Sequence, residues 1–137
     1  EYVTLHVGLG TFMPVKTENL EGHTMHSEDF FVDQKVITRI NDAKKNGKRI
    51  VAVGSTSTRV LESIASGNTT NSTNIFIYPP YKFKFVDVMI TNFHLPKSTL
   101  MAMVYAFGGT KLMKAAYKEA IKERYRFYSF GDSMMIY

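Results

Sequence analysis

Three short stretches hold most of the side chains able to do chemistry. His6-Val7-Gly8-Leu9-Gly10-Thr11-Phe12 joins an imidazole to a glycine-rich turn, and Gly54-Ser55-Thr56-Ser57-Thr58-Arg59 sets four successive hydroxyls before an arginine. Thr91-Asn92-Phe93-His94-Leu95-Pro96-Lys97-Ser98-Thr99 offers an amide, an aromatic face, an imidazole and an ammonium within two turns of chain. Imidazole titrates near neutrality, so His94 is a candidate for proton transfer, with Asn92 able to offer an amide to the same ligand. Phe93 can stack on a ring or fill a core, and Lys97 can meet an anion or simply be solvated. Backbone N–H groups at a helix start favour an anion, and Ser55, Thr56, Ser57 and Arg59 would add donors there. A helix cap uses one side chain and leaves the rest of that run unexplained. Gly8, Gly10 and Thr11 suit either a close ligand approach or a plain turn. A dinucleotide fingerprint would need a third glycine where Met13 stands.

His23-Thr24-Met25-His26-Ser27-Glu28 presents two imidazoles and a carboxylate, yet zinc usually takes a third or fourth protein ligand. No metal is expected. The absence of cysteine excludes disulfides, thiol nucleophiles and thiolate metal sites.

These stretches need elements to hold them. Arg49 to Val53 reads as a strand ending at Gly54, followed by a helix with Val60, Leu61, Ile64 and Ala65 on its apolar face and Gly67 as its stop. Phe85 to Ile90 repeats the pattern, with Pro96 expected as the first residue of a helix running from Lys97 to Phe107. A helix from Asp33 to Asn46 carries Val36, Ile37, Ile40 and Ala43 inward. Thr110 is expected to open another, with Leu112, Met113, Ala116, Tyr117, Ala120 and Ile121 inward. Further strands are expected at Tyr2 to Val7, Asp29 to Val32, Ile75 to Tyr78, Arg126 to Phe130 and Ser133 to Tyr137. Alternating strands and helices predict an α/β domain with a mostly parallel sheet flanked by helices. In such a sheet ligands bind beyond the carboxyl ends of the strands, where all three stretches would meet.

The chain has 137 residues, 45% hydrophobic and 21% charged, which fits one globular domain. Its net charge of +5 makes nucleic acid a legitimate partner. No apolar run approaches the roughly 18 residues of a membrane span, so no membrane partner is expected. The first residues lack both an initiator Met and a signal-peptide pattern, and read as a strand already under way. A longer parent protein and a cytoplasmic location are therefore expected.

Taken in order, the motifs resemble the S-adenosylmethionine:tRNA ribosyltransferase-isomerase family of queuosine biosynthesis. The resemblance runs nearly end to end. It includes Leu5 to Val15, the His23, Met25-His26 and Glu28 pattern, Val53 to Ser57 with Arg59 and Leu61-Glu62-Ser63, and Phe76-Ile77-Tyr78-Pro79. Its most specific stretch is Ile90-Thr91-Asn92-Phe93-His94-Leu95-Pro96-Lys97-Ser98-Thr99-Leu100, and Arg126 to Asp132 closes the set. Pro80 departs from the family's usual glycine, and the loop before it lacks the usual tryptophan.

The resemblance implies that residues 1–137 are the C-terminal part of the α/β catalytic domain of a longer enzyme, without the family's inserted β-barrel domain. The chain alone is expected to be inactive. The implied acceptor is 7-aminomethyl-7-deazaguanine at the wobble position of tRNA. S-adenosylmethionine is implied as a consumed substrate, giving epoxyqueuosine, adenine and methionine with no further cofactor, and a monomer is expected. His94, His6 and Asn92 would then be catalytic. Gly8, Gly10, Thr11, Ser55, Thr56, Ser57, Arg59, Thr91, Phe93 and Lys97 would bind substrate, while Lys82, Lys84 and Lys111 are candidate phosphate contacts. Two rivals remain open from the residues alone. One is a phosphate-handling enzyme built on the hydroxyl-rich helix start, and the other is a non-catalytic RNA-binding module.

Overall fold

The chain was analysed as a computed structural model, which describes residues 1–8, 15, 17 and 19–137. Gly10 and Thr11, two of the candidate site residues, lie outside the described residues.

Two three-stranded sheets are present. In the first, β1 (Thr4–Leu5), β2 (Glu28–Phe31) and β4 (Ser72–Thr73) lie in the order β1-β2-β4, with both pairs antiparallel. In the second, β3 (Val51–Val53), β5 (Val88–Asn92) and β6 (Ser133–Ile136) lie in the order β3-β5-β6. Here β3 and β5 are parallel, and β5 and β6 antiparallel. The helices are α1 (Gln34–Lys45), α2 (Ser55–Ala65), α3 (Thr99–Gly108) and α4 (Thr110–Lys122).

The α/β class holds, but the expectation of a mostly parallel sheet is corrected: β3–β5 is the one parallel pair among the described strands. The cause lies in the helices. A single helix between two strands returns the chain to the end where it started, which makes the strands parallel. Between β5 and β6 there are two, α3 and α4, so the chain enters β6 from the end at which β5 finished. The turn between them is tight. Gly109 adopts φ +79°, and a Cβ on Gly108 would come within 2.7 Å of the Met113 side chain.

Local signals explain most helix ends. The Asp33 side chain caps α1 by accepting from the Lys35 amide at 2.7 Å. The expected role of Pro96 is corrected: α3 is capped by Ser98, whose hydroxyl accepts from the Met101 amide at 3.0 Å and donates to the Leu95 carbonyl at 2.8 Å. Helix α4 buries Met113, Tyr117 and Ala120, whereas Leu112 and Ile121, expected inward, are exposed.

Two expected strands are not strands. Ile75 to Tyr78 runs as irregular chain, although Ile77 is fully buried. Arg126 to Phe130 instead folds back on itself, because Tyr128 takes φ +69° and its amide donates to the Phe93 carbonyl at 3.1 Å. A Cβ on Gly131 would sit 2.5 Å from the Arg126 carbonyl oxygen, so this fold-back requires glycine.

The core lies where α2, α3 and α4 meet the second sheet, around Leu61, Met89, Met103, Val104 and Tyr117. One buried charge organises its approach. The Glu62 carboxylate, fully enclosed, accepts from the amides of Lys84, Phe85 and Val86, each at 2.9 Å, and from the Tyr81 hydroxyl at 3.0 Å. These contacts tie α2 to the segment leading into β5. Strand β3 is an outer strand of its sheet among the described residues, with Val51 and Val53 exposed at 49% and 66%.

Candidate active site

Parallel pairing puts the carboxyl ends of β3 and β5 at the same edge. The Gly54 amide donates to the Ile90 carbonyl at 2.8 Å, joining the start of α2 to the strand that carries Thr91 and Asn92. The second and third polar stretches therefore share one end of the sheet, as the ligand-binding rule for parallel strands requires.

His94 sits just past β5. Its Nε2 lies 2.8 Å from the Thr91 hydroxyl, and its backbone N–H donates to the Tyr117 hydroxyl at 3.0 Å. Burial pushes the imidazole down to about 4 and the Tyr117 phenol up to about 12, so both are neutral near pH 7. A neutral imidazole held by one hydrogen bond can accept a proton. His6 is exposed, its amide donating to the Asp29 carbonyl at 2.8 Å, and no hydrogen bond joins it to His94 among the described residues.

Asn92 is half-buried, and its Nδ2 donates toward the carbonyls of Gly131 and Asp132 at 3.3 and 3.4 Å. One end of its amide thus holds the turn before β6. Asn92→Ala should lower the stability of the chain by about 1 kcal/mol through these two long bonds, read as a shifted urea midpoint. Phe93 is the clearest correction. It is 5% exposed, with the rings of Tyr117, Tyr125 and Phe127 at centroid distances of 5.3, 5.5 and 5.4 Å. Its faces are taken by the core, leaving none to stack on a purine. Lys97 is exposed at φ +60°, and its carbonyl accepts the Val15 amide at 2.8 Å.

At the second stretch the N-cap position of α2 is Gly54, at φ +97°, and no side-chain cap forms there among the described residues. Ser55, Thr56 and Ser57 instead occupy the first turn and are half-buried. A simple capping role for Ser55 or Thr56 is therefore corrected, and the positive end of α2 stays open to an anion. Thr58 is buried and turns back to donate to the Gly54 carbonyl at 3.1 Å. Arg59 is 2% exposed and forms an ion pair with Glu28, itself 3% exposed. The other carboxylate oxygen of Glu28 accepts the Gly8 amide at 2.8 Å. The first stretch thus reaches the second through a buried ion pair between β2 and α2.

Sequence reasoning named Glu28 only within a motif and did not assign Tyr117 to the site. Glu28 carried a usable signal. It alternates with Phe30 on the inward face of β2, where a carboxylate needs a buried partner. His23 and His26, weighed as metal ligands, do not come together with Glu28. His23 packs edge-on against Phe76 at 5.1 Å, His26 is exposed, and no group of three metal-ligating side chains forms among the described residues. Nor is any described helix long and apolar enough to cross a membrane.

The chain as a whole is similar to known proteins. An S-adenosylmethionine:tRNA ribosyltransferase-isomerase of Caldanaerobacter subterraneus subsp. tengcongensis is 56% identical over 140 residues, covering 98% of this chain and 41% of that protein. A relative of the same name from Halothermothrix orenii matches to the same extent. The crystal structure of an S-adenosylmethionine tRNA ribosyltransferase from Thermotoga maritima superposes with a TM-score of 0.75 at 46% identity, covering 80% of this chain and 40% of that one. The chain thus spans 41% of the length of the sequence relatives it matches. The family model described as "Queuosine biosynthesis protein" matches residues 1–136, and the chain belongs to that family.

Proposed function

We propose that this chain supplies part of the catalytic domain of a cytoplasmic, monomeric S-adenosylmethionine:tRNA ribosyltransferase-isomerase. The acceptor is 7-aminomethyl-7-deazaguanine at the tRNA wobble position, and the products are epoxyqueuosine, adenine and methionine. S-adenosylmethionine is a consumed substrate, and no further cofactor takes part.

On the structural side the reading rests on the neutral imidazole of His94 at the strand end shared with the open start of α2. The positive sulfonium acidifies the adjacent ribose carbon, so a neutral base beside it can begin the rearrangement, and an acid must later assist the departure of adenine. His94 is assigned the first task and His6 the second. Thr91 orients the imidazole, and Asn92 fixes the turn beside it. The first turn of α2, with Ser55, Thr56 and Ser57, takes the methionine carboxylate or a tRNA phosphate. Gly8, with Gly10 and Thr11 of the same stretch, is assigned to substrate binding, and exposed lysines such as Lys97, Lys82 and Lys111 meet phosphates.

The test is to incubate a full-length protein carrying this chain with S-adenosylmethionine and tRNA bearing the deazaguanine precursor. Adenine should be released only when that tRNA is present. Absence of adenine from a folded protein that still binds the tRNA would remove the transferase and leave a non-catalytic RNA-binding module.

A further inference from the structure

The Arg59–Glu28 pair is hard to explain as a stabilising contact. Both side chains are almost wholly enclosed, and Nε and Nη2 of Arg59 have no hydrogen-bond partner among the described residues. Burying two charges carries a desolvation cost that Coulomb attraction repays only when the remaining donors are satisfied. An apolar pair of similar volume would hold β2 against α2 at least as well.

What the pair does achieve is positional. Glu28 stands on β2, opposite Thr73 of β4, and Thr73 in turn is hydrogen-bonded to Ser63 of α2 at 2.5 Å. The backbone of Glu28 is thus held by β4 and its carboxylate by Arg59. Its remaining oxygen holds the Gly8 amide at 2.8 Å, two residues beyond His6. We propose that Glu28 is a positioning residue: with its carboxylate oriented by Arg59, it anchors the main chain at Gly8 and so sets His6 relative to the start of α2. Arg59 acts on the site through Glu28 and does not itself contact substrate. The assignment rests on the catalytic reading above, while the anchor at Gly8 can be measured without it.

Two double variants of the full-length protein separate position from stability. Glu28→Met with Arg59→Met removes both charges and the acceptor for Gly8. Glu28→Gln with Arg59→Met removes both charges but keeps an oxygen for that amide. Both should fold, since neither leaves an unpaired buried charge. In the first variant, hydrogen exchange at His6 to Gly8 should become several-fold faster while α2 and β5 are unchanged. Its kcat/KM for adenine release should fall about 100-fold, the scale of a misplaced catalytic group. The second variant should recover most of both. Equal exchange and equal activity in the two variants, or failure of both to fold, would overturn the proposal by making the pair purely structural. If the unmodified protein releases no adenine, the catalytic reading fails, and the exchange comparison still decides whether Glu28 anchors Gly8.

Discussion

Glu62→Ala should prevent the chain from folding. The carboxylate receives three amides and a phenol in an enclosed site. Hydrogen bonds to a charged group contribute about 1.5–3 kcal/mol each. Losing four would remove roughly 6 kcal/mol or more, against a total stability of about 5–15 kcal/mol for a domain. Glutamine cannot rescue the site, because its NH2 would face amide donors in place of an acceptor. Tyr81→Phe removes one donor and leaves the three amides satisfied, so it should cost only about 1 kcal/mol. Far-UV circular dichroism during heating would separate these outcomes. A Glu62→Ala chain that melted like the unmodified one would show that other contacts hold the approach to β5.

The second large effect concerns His94 and is read in activity. In the full-length protein, His94→Ala should lower adenine release by about 10²–10⁴-fold, the usual contribution of a general acid or base. The pH profile carries the sharper signature. With its pKa at about 4, His94 stays in its basic form far below neutrality, so the acid limb attributable to it should fall near pH 4, well under the ordinary histidine value of 6.5. Stability follows the same proton. Above pH 6.5 the imidazole is neutral in both folded and unfolded chains and contributes no slope. As pH falls from 6.5 to about 4, the unfolded chain takes up the proton first, and the folded state loses about 3 kcal/mol. His94→Ala should flatten that part of the stability profile. An unchanged acid limb and an unchanged slope in the variant would show that His94 is neither buried as described nor the base.

What the sequence could convey about this site depended on distance along the chain. Helices α1, α2 and α4 announced themselves through apolar spacing, a signal spanning a few residues. His94 and the hydroxyl run of α2 were legible for the same reason: each is a local concentration of unusual side chains. Their partners were not. Tyr117 reaches His94 across 23 residues, and Glu28 reaches Arg59 across 31, so neither contact leaves a periodic trace. Sheet direction failed in a different way. Both α3 and α4 were expected, but the rule linking alternation to parallel strands counts one helix per crossover, and two reverse it. Phe93 shows the limit of reading chemistry from residue type, since an aromatic beside a histidine serves a core as readily as a ligand. Only the surrounding Tyr117, Tyr125 and Phe127 decide which.

The outer position of β3 governs how the chain behaves in a tube. A strand edge with no neighbouring strand among the described residues, and with two exposed valines, is a template on which another copy can add. Opposing it is the charge of +5, which makes copies repel one another. That repulsion reaches about 30 Å at 10 mM ionic strength but only about 8 Å at physiological strength. The isolated chain should therefore stay dispersed longer in dilute, low-salt buffer than in the saline customary for storing proteins.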